Sequence, residues 1–141
     1  MSRKVLYESV VTNKQADHGF VTSSKGKSLE IKPTLSKELG HNPGELLAFS
    51  WATCLESTLR YVCEKRNIIT TSYTSVRFVM HIDQGPPRGY KFFYEATLFM
   101  AIEGEQLRQS LLEETHLRCP ISKLLKPESV TLKTEKIKST S

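Results

Sequence analysis

The chain has 141 residues, enough for one compact domain with a real core and too few for two ordinary ones. Hydrophobic residues make up 38% and charged residues 25%, which excludes a disordered chain. The net charge is +5, yet the lysines are scattered and form no basic run, so an ordinary basic surface is expected and not a nucleic-acid footprint.

The N-terminus, Met1-Ser2-Arg3-Lys4-Val5-Leu6, lacks the apolar stretch of a signal peptide. The longest mostly apolar run, Leu46 to Leu55, is about half of a membrane span, so no membrane association is expected and the expected location is cytoplasmic. There are three cysteines, Cys54, Cys63 and Cys119, too few and odd in number for a structural disulfide framework. None has C-x-x-C spacing. The histidines are dispersed, so no metal site is expected.

In chain order, Lys4 to Val11 is rich in β-formers. Gly19 to Ser24 and Ser28 to Lys32 read as strands flanking a Lys25-Gly26-Lys27 hairpin turn. Asn42 suits a helix N-cap, Pro43 the first helical position and Glu45 a capping-box acid. The helix should run to about Arg66, because Leu47, Ser50, Cys54, Thr58 and Tyr61 recur at helical spacing. Leu46, Phe49, Leu55, Leu59 and Val62 widen its apolar surface, which predicts a central helix. Two alternating strands follow, Thr74 to Ile82 and Tyr90 to Ile102, joined by a turn over 84–89. A second helix is predicted over Glu105 to Arg118, with Leu107, Leu111 and Thr115 on one face. Pro120 should break it at Cys119. Ile121 to Leu125 adds a further turn, and Ser129 to Thr134 a closing strand with Val130 and Leu132 inward. The order is α+β, one domain over 1–141, with antiparallel sheet around a central helix.

Cys54 lies mid-helix and Cys119 at a helix end, 65 residues apart (119 − 54), so only the fold can unite them. Position alone also permits two buried spectators, since free cysteine packs as a small hydrophobe.

The local sequences say more. Asn42-Pro43-Gly44-Glu45-Leu46-Leu47-Ala48-Phe49-Ser50-Trp51-Ala52-Thr53-Cys54 resembles the first-cysteine helix of the OsmC/Ohr family, N-P-E-x-L-hydrophobic-A-x-x-x-A-x-C. His116-Leu117-Arg118-Cys119-Pro120-Ile121-Ser122 resembles its second signature, A-H-x-x-C-P-x-S. The resemblance covers nearly the whole chain. It implies an intertwined homodimer with active sites at the subunit interface. It implies that Cys54 attacks an organic hydroperoxide, that Cys119 resolves the resulting sulfenic acid, and that a dithiol, such as a dihydrolipoyl group, regenerates both. No cofactor and no metal is implied. The alternative is a member of the same fold that binds a small molecule or senses redox state.

Two departures stand out. The family's acid directly follows Asn-Pro, where this chain has Gly44. Glu45 comes nine residues before Cys54, about 900° around a helix and on the opposite face, which suits a cap better than a site. The early-loop arginine of the family is missing from Gln15-Ala16-Asp17-His18-Gly19-Phe20. Lys37, His41 and Arg88 remain as cations for Cys54. Cys63, nine residues past Cys54, should face away as a bystander. His116 stands near the second cysteine, while Trp51 and Phe49 suit core or dimer contacts.

Overall fold

The computed structural model describes residues 3–138. The chain divides into two compact units between Leu46 and Leu47.

The first unit holds a three-stranded antiparallel sheet of β1 (Val11–Asn13), β2 (Gly19–Ser23) and β3 (Ser28–Ile31) in the order β1-β2-β3. The predicted turn is present. Gly26 adopts φ +83°, and the Lys25 and Lys27 amides both donate to Ser23 Oγ at 3.2 Å. The first predicted strand is corrected: only Val11 of the Lys4 to Val11 segment is in a strand. Val10 still exchanges hydrogen bonds with Ser24 at the end of the β1–β2 pairing, while Val5, Leu6 and Tyr7 before it are exposed and outside any strand. Asn42 caps the next helix as expected, its Oδ1 accepting the Glu45 amide at 2.9 Å. That helix, α1, runs Pro43–Lys65.

The second unit contains the rest of α1, then β4 (Ser72–Asp83), β5 (Gly89–Met100), α2 (Glu105–Arg118) and β6 (Val130–Lys136). Short 3-10 turns at Ser122–Leu124 and Pro127–Ser129 join α2 to β6. The sheet order is β4-β5-β6. β4 and β5 pair antiparallel along their whole length, from Ser72↔Met100 to Asp83↔Gly89. The expectation of wholly antiparallel sheet is corrected at the last pairing. β6 runs parallel to β5, from Tyr94↔Val130 to Met100↔Lys136. The α2 crossover carries the chain back to the same end of the sheet, and a parallel pair needs such a connection.

Ala48, Trp51, Leu55, Leu59 and Val62 form the buried stripe of α1, at spacings of three and four. They join Tyr94, Ala96, Leu98 and Met100 of β5, Leu111 and Leu112 of α2 and Val130 of β6 in one core. The apolar surface of α1 is wider than this stripe: Phe49 is 58% exposed and Tyr61 46%. On α2 the buried face is Leu111, Leu112 and Thr115, with Leu107 at its exposed margin in place of the predicted membership. Val130 is buried and Leu132 half-buried, so both contribute to the core as predicted. Among the described residues no helix is long and apolar enough to cross a membrane.

Candidate active site

Cys54 is half-buried on the flank of the buried α1 stripe, and Trp51, Leu55 and Leu59 around it are fully buried. Cys119 ends α2. Pro120 forces it out of helical geometry to φ −64°, ψ 117°, although its amide still donates to Thr115 O at 2.9 Å. The turn this produces directs the Cys119 side chain inward, and none of the residue is exposed.

The Cys54 and Cys119 sulfurs lie 2.8 Å apart and share a hydrogen bond. Both thiols are free. The Ser122 amide donates to Cys119 Sγ at 3.4 Å. The Ile121 amide and the Thr58 hydroxyl donate to Cys54. Thr58 stands one helical turn past Cys54, on the same face. The Ser122 side chain accepts the Trp51 indole N–H at 2.8 Å in a fully enclosed contact.

Burial pushes the Cys54 thiol above its ordinary pKa, and the hydrogen bond with Cys119 acts in the same direction. The Ile121 amide and Thr58 pull it down without outweighing burial. Among the described residues, the groups acting on this thiol are Cys119, Ile121 and Thr58, none of them a cation. Arg88 is exposed in the β4–β5 connection. Lys37, His41 and the Glu45 carboxylate belong to the first unit, where the Glu45 side chain is exposed.

Cys63 is buried in the core, and desolvation raises its pKa. His116 is half-buried, its Nδ1 enclosed with no hydrogen-bond partner among the described residues, and burial lowers its pKa. No cluster of three metal-binding side chains occurs among the described residues. A groove of about 540 Å³ is lined by Leu47, Phe92, Tyr94, Leu124 and Leu125, among others.

Sequence reading had missed the hydrogen-bonding roles of Thr58, Ile121 and Ser122. Thr58 had a signal, its i+4 spacing from Cys54. Ser122 stands in the second signature, which does not say what it bonds, and Ile121 acts through a backbone amide, of which residue type gives no warning.

An α+β fold with two thiols in contact across a helix and a proline-terminated turn defines the class. The chain belongs to the family of OsmC-like proteins, whose model matches residues 36–135. It is 25% identical over 132 residues to a Mycoplasma pneumoniae protein described as organic hydroperoxide resistance protein-like, covering 89% of this chain and 91% of that one. The fold is shared with the organic hydroperoxide resistance protein OhrB of Bacillus subtilis, at TM-score 0.80, 24% identity, and coverage of 94% and 100%. It is shared equally with an organic hydroperoxide resistance protein from Elizabethkingia anophelis, at TM-score 0.81, 24% identity, and coverage of 96% and 100%.

Proposed function

We propose that the protein is a thiol peroxidase that reduces organic hydroperoxides. The observation that carries this reading is the 2.8 Å approach of two free sulfurs of unequal exposure. Cys54, the accessible one, attacks the peroxide as thiolate. The O–O bond breaks, Cys54 becomes a sulfenic acid, and the alcohol leaves. The buried Cys119 thiol then attacks that sulfur, forming the Cys54–Cys119 disulfide and releasing water. A dithiol of the dihydrolipoyl type reduces the disulfide and is itself oxidised.

The working form in this reading is a cytoplasmic homodimer with one domain per chain. Exposed Phe49 and Tyr61 on α1 support it, since large apolar side chains gain by being covered.

Two observations favour a second reading, a ligand-binding or redox-sensing protein without peroxidase turnover. The Cys54 thiol is raised with no cation among the described groups that act on it, and Gly44 stands where the family has its acid.

Stopped-flow consumption of an alkyl hydroperoxide by the reduced protein, with thiols counted before and after, decides between them. Loss of two thiols per chain, far faster than free cysteine reacts, is expected. A rate equal to that of free cysteine would put the sensing reading first.

A further inference from the structure

The helix carrying Cys54 and the turn following Cys119 meet at an enclosed side-chain contact, between Trp51 Nε1 and Ser122 Oγ. Trp51 is fully buried and Ser122 is 5% exposed. Trp51 precedes Cys54 by three residues, and Ser122 follows Cys119 by three. The four residues therefore close a ring. α1 joins Trp51 to Cys54, the sulfurs join Cys54 to Cys119, the turn joins Cys119 to Ser122, and the indole N–H returns to Trp51. Within the turn, the Ser122 amide donates to Cys119 Sγ, the Lys123 amide to Cys119 O at 3.1 Å, and the Leu125 amide to Ser122 O at 3.2 Å.

A buried indole N–H requires an acceptor, and a buried hydroxyl is costly without a partner. Both are met by a single bond that spans the two segments bearing the thiols. Removing either partner leaves the other unsatisfied beside the sulfurs and loosens the Ser122 end of the turn.

We propose that Ser122 is a positioning residue of the cysteine pair: its hydroxyl, tied to Trp51, and its amide, on Cys119, hold the Cys119 sulfur against Cys54 and so favour the disulfide. This rests on reading the two cysteines as a redox couple.

The test is equilibration of the full chain with glutathione, in which protein dithiol and oxidised glutathione exchange for protein disulfide and two reduced glutathiones. Alkylation and mass spectrometry give the ratio, and circular dichroism verifies folding. Ser122→Ala and Trp51→Phe should each shift the equilibrium toward the dithiol by about tenfold. Ser122→Thr, which keeps a hydroxyl, should restore it to within about twofold. The double variant should be no worse than the poorer single one, because both remove the same bond. Should Ser122→Ala fail to fold, Trp51→Phe and Ser122→Thr still decide the matter. Single variants that leave the equilibrium unchanged, or a double variant that adds their losses, would overturn the proposal. So would a wild-type pair that forms no disulfide at any glutathione ratio. Glutathione replaces peroxide in this experiment. A protein inert to hydroperoxides that still shows the coupled shift would end the peroxidase reading and leave Ser122 in its role.

Discussion

Cys54 and Cys119 place their sulfurs 2.8 Å apart, yet only Cys54 retains solvent exposure. The asymmetry assigns different fates to the two substitutions. Cys54→Ser should abolish hydroperoxide consumption. Cys119→Ser should permit one turnover and then stop, with a sulfenic acid on Cys54 trapped by dimedone and read by mass spectrometry. Continued cycling in either variant would rule out the two-thiol scheme.

The raised Cys54 pKa sets the pH dependence. A thiol displaced upward is mostly protonated at neutral pH, so alkylation of Cys54 should accelerate with pH through the ordinary thiol range of about 8.5 and plateau above it. Thr58→Val removes a donor to the sulfur and should slow the reaction at pH 7 by about threefold to tenfold. A plateau below pH 7 would mean that a cation acts on Cys54 in the assembled protein.

His116 gives the fold an acid sensitivity. Burial holds its folded-state pKa below the ordinary value of about 6.5. As pH falls below that value the unfolded chain gains a proton that the folded chain resists. The contribution to stability is therefore complete above the unfolded pKa and lost as pH falls toward the folded one. Urea unfolding across this interval should show the decline, and His116→Gln should flatten it.

The two faces of α1 should respond differently to mutation. Leu59→Ala cuts into the core and should cost about 2–5 kcal/mol in denaturant unfolding. Phe49→Asp lies on exposed surface and should leave the fold of the chain intact. In sedimentation velocity the same variant should run as a monomer where the unsubstituted protein runs as a dimer. A monomeric wild type would remove the proposed assembly.

Much of the fold was legible because its punctuation is local. Asn42-Pro43 starts α1 by cap and ring chemistry, and Pro120 ends α2 at Cys119 by steric exclusion. The alternation in β4 and β5 was equally readable, since each strand has one face toward the core. The direction of β6 was not, because parallel and antiparallel strands present the same alternation. The N-terminal segment misled because β-branched residues report willingness to pair and not the presence of a partner. At the site, the two cysteines were legible as motifs, but the groups that surround them were not. The Ile121 and Ser122 amides exist in any sequence, and only the turn after Pro120 aims them at sulfur.

The three cysteines sit at three depths. Cys54 is reachable from solvent, Cys119 is sealed beneath the turn, and Cys63 borders a groove of about 290 Å³ lined also by Arg60, Ile68 and Thr70. Each is labelled through an opening of its own: none for Cys54, release of the turn for Cys119, and a widening of that groove for Cys63. The protein thus carries its own scale of breathing motions. The order and spacing in time of three alkylations would separate loosening of the active-site turn from opening at the C-terminal end of α1.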